Sequence, residues 1–220
     1  PGHTVADWGC GPAGLFTIQS ALLLGAGRVI AIDHFPTRLA LARKYGAEIL
    51  DYTQVDVREA LDEMTGGIGP DACIDCVGME SHGFTVDNIL DQVKVKLLSS
   101  TERIHALRQA ILACRKGARL SIPGVYGGFA DKFPLGQLME KGLTVKSGQT
   151  HVQRYSGELL DMIEAGKFDT VSLISHHASL EDAAEMYRHW HDEQDLYTKI
   201  VLKPGLAKGA VSARQEMEHA

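Results

Sequence analysis

The chain has 220 residues, 45% of them hydrophobic, and a net charge of −6 with a sequence pI near 5.9. That is enough apolar material for one large domain, or a domain plus part of another, and it argues against global disorder. No Lys/Arg-rich run suggests a nucleic-acid partner, and no apolar run has the length of a transmembrane helix or the flanks of a secretory signal, so no membrane partner is expected.

Thr4–Trp8 is expected as a short apolar strand. Pro12–Leu24 follows as a helix, because Pro12 suits a first turn and Leu15, Ile18, Ala21 and Leu22 share one face. Arg28–Ile32 is a nearly continuous apolar run, as in a strand buried on both faces. Pro36–Tyr45 is expected to be helical, with Gly46 as its stop. Glu48–Leu50 suits a short strand, Val57–Met64 a short helix and Asp71–Val77 another buried strand. Thr85–Ser99 is ambiguous. Arg103–Arg115 suits a helix, Arg119–Ile122 a strand, Leu135–Lys141 a helix, Thr144–Lys146 a strand and Tyr155–Ala165 a helix. Strands and helices thus alternate with short connections. That order predicts an α/β fold, a doubly wound parallel sheet with right-handed crossovers and helices on both faces. Beyond it, a strand is expected at Val171–Ile174, a helix at Leu180–Asp192 and a strand at Tyr197–Leu202. Residues 206–220 read as a loosely attached tail.

The first strand runs into V-A-D-W-G-C-G-P-A-G. From Gly9, Gly11 and Gly14 this is G-x-G-x-x-G. Gly9 permits the tight bend, Gly11 lets the backbone approach a ligand, and Gly14 lets the helix pack close to the strand. The helix N-terminus then offers N–H groups and a partial positive charge to a diphosphate. Asp33 ends the next strand, where a carboxylate can accept both ribose hydroxyls of an adenosine and repel a 2′-phosphate, favouring NAD over NADP. From Asp7, however, the same stretch is D-x-G-x-G, which resembles the opening of S-adenosylmethionine methyltransferases.

Four cysteines are too few for a disulfide framework in a chain this long and fit a reducing cytoplasm. Cys73 and Cys76 form a C-x-x-C, but at that spacing on a strand they point to opposite faces. Cys10 and Cys114 read as turn and helix-packing residues. His189 and His191 diverge on a helix, and with His176 and His177 they read as solvated side chains rather than ligands.

The segments V-A-D-W-G-C-G-P-A-G, V-I-A-I-D-H-F-P-T-R-L-A-L-A, G-G-I-G-P-D-A-C-I-D-C-V-G and S-I-P-G-V-Y-G-G together resemble the zinc-type medium-chain alcohol dehydrogenases. S-G-Q-T-H and the long insert around residues 79–105 are most similar to the glutathione-independent formaldehyde dehydrogenase branch. The resemblance runs from Pro1 to about Pro204. It implies an NAD-binding Rossmann domain over residues 1–170, and a returning segment of a GroES-like catalytic domain over 171–205. Gly9, Gly11, Pro12, Ala13 and Gly14 would lie under the diphosphate. Asp33 would hold the adenosine ribose, with His34 beside it and Arg38 packed nearby, its charge aimed at ribose and phosphate. Val77 and His82 would line the cleft. Pro123, Gly124 and Val125, and then Gly148, Gln149 and Thr150, would meet the nicotinamide end.

The family oxidises an alcohol or hydrated aldehyde held on zinc and passes hydride to NAD. The chain begins at Pro1-Gly2 with no methionine and enters a strand almost at once, so a preceding domain is expected to carry the zinc ligands and the proton relay. Neither catalytic nor metal-ligating residues are then expected in this chain, which should bind NAD without turning over alcohols unaided. The family pairs subunits through this domain, so a homo-oligomer is expected. The returning elements should be poorly supported, with Leu196, Ile200 and Val201 partly exposed or buried against another subunit. One residue departs from the family: position 7 is usually apolar there, and a carboxylate must find a partner or reach solvent. Two alternatives stay open, an S-adenosylmethionine-dependent methyltransferase and a non-catalytic dinucleotide-binding module.

Overall fold

The computed structural model describes residues 1–78, 101–102, 104–127, 129–130 and 132–213. His82 and the ambiguous stretch 85–99 lie outside the described residues. Six strands form a parallel sheet: β1 (Thr4–Trp8), β2 (Arg28–Asp33), β3 (Glu48–Asp51), β4 (Ala72–Asp75), β6 (Arg119–Ile122) and β8 (Thr144–Ser147). Their spatial order is β3-β2-β1-β4-β6-β8. The chain runs outward from β1 to β3, returns to β4 on the other side of β1, and continues outward to β8. The order reverses between β1 and β4, where a doubly wound sheet opens a crevice at its carboxyl edge.

The sheet is held by alternation on each strand. In β1 and β2, Ala6, Trp8, Ile30 and Ile32 join one buried cluster with Leu61, Ile104, Leu107, Ile111 and Leu120. Val5, Val29 and Ala31 join the opposite cluster with Leu15, Ile18, Leu39 and Leu173. The first cluster packs against α3 (Val57–Met64) and α4 (His105–Ala113), the second against α1 (Pro12–Leu23) and α2 (Pro36–Lys44). Burying each leucine or isoleucine contributes about 1.5–3 kcal/mol, so the two faces clamp β1 and β2 from both sides. Support thins toward the far edge. Neither α5 (Leu135–Glu140) nor α6 (Val152–Glu164) has a buried residue, and all four residues of β8 are exposed. Between β4 and β8, two short segments, β5 (Thr101–Glu102) and β7 (Phe129–Ala130), pair in parallel; sequence patterning had no signal for either.

The C-terminal part departs most from expectation. Residues 171–174 form a turn rather than a strand. Ile174 N–H bonds Val171 O at 3.0 Å, Ser172 N–H bonds Asp169 Oδ1 at 2.9 Å, and Leu173 plugs the core. The backbone there is committed to local bonds and cannot join a ladder. The strand lies further on, as β9 (His176–Ser179), flanked by β10 (Ile200–Lys203) in parallel and β11 (Ser212–Ala213) antiparallel. Residues 206–213 are not the start of a loose tail. Besides the β11 pairing, Gly209 N–H donates to Asp182 Oδ2 at 2.7 Å and Ser179 Oγ to Leu206 O at 2.8 Å. A 3₁₀ turn at Leu180–Asp182 leads into α7 (Ala183–Asp192). Leu196 is exposed and Ile200 and Val201 are half-buried, while Ala178, Met186 and Thr198 are buried. Among the described residues no helix is long and apolar enough to cross a membrane.

Candidate functional site

A cavity of about 280 Å³ lies at the β1/β4 reversal, and Gly9, Gly11, Asp33, His34, Arg38 and Val77 all line it. The glycine turn is built as its spacing suggests. Gly9 sits at φ 96°, in the left-handed region, and a Cβ there would meet Val77 Cγ2 at 2.8 Å. A Cβ on Gly14 would lie 1.7 Å from the Gly9 carbonyl oxygen, so α1 packs on the turn only through a bare glycine. Gly11 differs from both. Its φ is −66° and nothing lies within 4 Å of where its Cβ would be. Neither conformation nor packing demands glycine at Gly11; the bare backbone there leaves room for a ligand to approach. No side chain caps α1, which leaves its first-turn amides and partial positive charge beside the cavity. Ala13 is exposed in that turn. Pro12 lines a second cavity of about 230 Å³ between α1, α7 and β10.

Asp33 is nearly buried. Its Oδ1 accepts His34 N–H at 2.6 Å and Phe35 N–H at 3.1 Å. Its Oδ2 accepts Cys10 N–H at 2.6 Å, which ties the end of β2 to the glycine turn. Burial alone would raise its pKa, but the bonds from His34, Phe35 and Cys10 outweigh it and hold the carboxyl below its usual range. Asp33 is therefore ionised at neutral pH, and with about four acceptor positions it retains capacity for a further donor. His34 Nδ1 and the Tyr52 hydroxyl share a 2.6 Å hydrogen bond. Burial, then the charges of Asp33 and Asp51, push the Tyr52 phenol up. The Arg38 guanidinium stacks 4.3 Å from the Phe35 ring centre.

The segments expected at the far end are placed differently. Val77 follows β4 and lines the cavity; Pro123–Val125 and Gly148–Thr150 are not among its lining residues. Pro123 and Val125 are exposed, as are Gly148, Gln149 and Thr150. The link between the β4 and β6 turns is Asp75, a residue that sequence reasoning passed over. Its Oδ1 accepts the Val77 and Gly78 amides at 3.0 and 3.2 Å, and its Oδ2 accepts the Tyr126 hydroxyl at 2.5 Å. Gly124 N–H donates to the Asp75 carbonyl at 2.9 Å. A polar residue closing an apolar strand was the available signal. Trp8, Tyr52, His105 and Gln109 also line the cavity. Trp8 comes from the end of β1, Tyr52 from just past the end of β3, and His105 and Gln109 from the first half of α4, and nothing in their local spacing marks them.

Asp7 corrects an expectation. It does not reach solvent: it is fully buried, neither carboxylate oxygen makes a hydrogen bond of normal geometry among the described residues, and the one favourable polar neighbour is the Cys76 thiol. Alternation puts it on the α1 face beside Val5, where a Cβ on Gly14 would come within 3.1 Å of its Oδ2. Burial pushes its pKa well up, the nearby Cys76 thiol lowers it in part, and the charges of Asp75 and Asp33 raise it further. The side chain escapes the full cost of a buried charge by holding its proton.

Cys73 packs in the core cluster with Cys114, whereas the Cys76 thiol lies 3.4 Å from Thr17 Oγ1 on α1, across the sheet. All four cysteines are free thiols. Two of the histidines read as solvated instead sandwich an aromatic ring. His176 and His189 stack on Tyr197 at 4.1 and 5.1 Å, because the fold brings β9 and the end of α7 together. No group of three His, Cys, Asp or Glu side chains among the described residues could hold a metal ion.

A family model described as zinc-binding dehydrogenase matches residues 12–96. The zinc-type alcohol dehydrogenase-like protein AdhB of Bacillus subtilis is 35% identical over 210 residues, covering 92% of this chain and 53% of that protein. The glutathione-independent formaldehyde dehydrogenase of Pseudomonas aeruginosa is 30% identical over 220 residues, 93% of this chain and 52% of its own. Among solved structures, alcohol dehydrogenase TADH from Thermus sp. ATN1 superposes with a TM-score of 0.76 at 28% identity, over 92% of this chain and 51% of that one. The chain spans about half the length of the relatives it matches.

Proposed function

Because this chain belongs to the zinc-type alcohol dehydrogenase family, we propose that it is the NAD-binding part of an oxidoreductase that moves hydride between a small alcohol or hydrated aldehyde and NAD. One arrangement carries the proposal. An ionised, well-anchored Asp33 faces a cavity whose other wall is the Gly9–Gly14 turn, with Gly11 bare where nothing in the fold requires it. Asp33 accepts the adenosine ribose hydroxyls, and its charge disfavours a 2′-phosphate. The start of α1 holds the diphosphate through backbone amides. Arg38 adds positive charge beside the ribose. Residues 1–170 form the cofactor domain and 171–205 return toward the catalytic one; Pro123–Val125 and Gly148–Thr150 meet the nicotinamide end in the whole enzyme. When bound, the nicotinamide ring supplies hydride chemistry at its C4. The zinc of the family is assigned no step on this chain's described residues, which do not fit it.

The substrate is a small molecule held outside this cleft. The whole enzyme works as a homo-oligomer in the cytoplasm, a reducing setting that suits four free thiols. Calorimetric titration with NAD⁺, NADP⁺ and S-adenosylmethionine tests the reading. Saturable NAD⁺ binding, with NADP⁺ much weaker, is expected. Binding of S-adenosylmethionine alone would overturn it. Asp33→Ser should narrow the gap between NAD⁺ and NADP⁺, and an unchanged ratio would remove Asp33 from that role.

A further inference from the structure

The chain crosses back over the nucleotide cleft at the end of α7 and the turn that follows it. Trp190, His191 and Gln194 line the same cavity as Asp33, His34 and Arg38, although they lie about 150 residues further along and nothing in their local sequence points to a ligand. Two contacts fix this turn to α2. The residue before that helix is Phe35, which offers no side-chain cap. The cap comes from a distance instead: Asp195 Oδ1 accepts Thr37 N–H at 2.9 Å. One residue away, the Gln194 carbonyl accepts Arg38 Nη2 at 3.2 Å. Arg38 sits in the first turn of α2, where the helix's partial positive charge repels a guanidinium. The Gln194 carbonyl and the Phe35 ring hold it there against that repulsion. Arg38 lines the cavity, and its Nε is buried without a hydrogen-bond partner among the described residues.

We infer that residues 190–195 are the outer wall of the nucleotide site, and that Asp195 is a positioning residue that holds the start of α2, and through it Arg38, against the ribose–diphosphate part of the ligand. The inference rests on the dinucleotide reading above. ADP-ribose is the probe, because it carries adenosine, both riboses and the diphosphate without the nicotinamide. Asp195→Ala should weaken ADP-ribose binding roughly five- to tenfold, the scale of a lost helix cap felt at the site. Asp195→Asn, which keeps an acceptor oxygen for Thr37, should restore affinity to within about twofold of the parent chain. Trp190→Phe should shrink the change in tryptophan emission at saturation, since Trp8 alone then reports. Unchanged affinity in Asp195→Ala, or an emission change in Trp190→Phe equal to the parent's, would sink the inference while leaving the cofactor reading intact. A parent chain that does not bind ADP-ribose at all would overturn both.

Discussion

At the Asp33 end of the cleft, the polar groups Asp33, Tyr52 and Arg38 that line the cavity are each held by a neighbouring group. Asp33 is held by three backbone amides, Tyr52 by His34, and Arg38 by Phe35 and the Gln194 carbonyl. At the other end, Asp75 binds the turns after β4 and β6 together, but Val125 is 67% exposed and Gly148–Thr150 trail off the outermost strand. β2 has one of the two core clusters on each of its faces; β8 has no buried residue on either. Strands in the middle of the sheet fix what their ends present, because displacing a side chain there disrupts two packed faces. A strand at the edge exerts no such hold. On the proposed dinucleotide reading, the firm end is the nucleotide half of the site and the open surface the nicotinamide half.

Gly14→Ala should break the firm end most severely. The new methyl overlaps the Gly9 carbonyl, so a loss of about 3 kcal/mol or more is expected, with ADP-ribose binding abolished. Thermal melting and calorimetry check it, and a variant of parental stability would mean that α1 does not pack on the turn as described.

Asp7→Val sharpens the comparison from beneath the turn. Removing a buried carboxyl that makes no hydrogen bond of normal geometry should stabilise the chain by about 1–3 kcal/mol at neutral pH. The sign follows from linkage. Asp7 keeps its proton in the folded chain to higher pH than in the unfolded one, where it ionises near pH 3.9. The folded state binds the extra proton, so stability falls as pH rises from about 4 toward the folded pKa. The gain from Asp7→Val should therefore be smaller near pH 4 than at pH 7. Urea melts at the two pH values measure it, and a gain independent of pH would mean that Asp7 ionises normally in the fold.

Gly11→Ala separates folding from binding. Its φ is ordinary and its Cβ meets open space, so stability should hold or rise by about 0.4–1 kcal/mol. ADP-ribose affinity should drop about tenfold or more if the diphosphate lies against that backbone. Equal binding in both chains would remove Gly11 from the site.

The smallest effect is expected at the open end. Gln149→Ala should leave ADP-ribose affinity within about twofold, because the side chain is solvated and lies outside the cavity. A larger loss would place Gln149 on the nucleotide half of the ligand.

The alternation of strands and helices, the glycine turn and the acid at the end of β2 were legible in the sequence because each rests on contacts a few residues apart. Hydrophobic period, proline and glycine at helix ends, and a tight turn are local physics, and they place Gly9 and Gly14 in the turn and Asp33 at the end of β2. They also failed locally. His176–Ser179 does not look like a strand, and Val171–Ile174 does, but the backbone bonds of the latter go to Asp169 and to its own turn.

By itself the sequence determined the doubly wound sheet, its family and the residues of the turn. Only the tertiary structure decided that Asp7 is sealed without a normal hydrogen bond, that Asp75 joins two turns, and that Asp195 caps a helix 158 positions away. The reason is physical: burial and long-range hydrogen bonds depend on which surfaces meet when the sheet closes, and no spacing along the chain encodes that meeting.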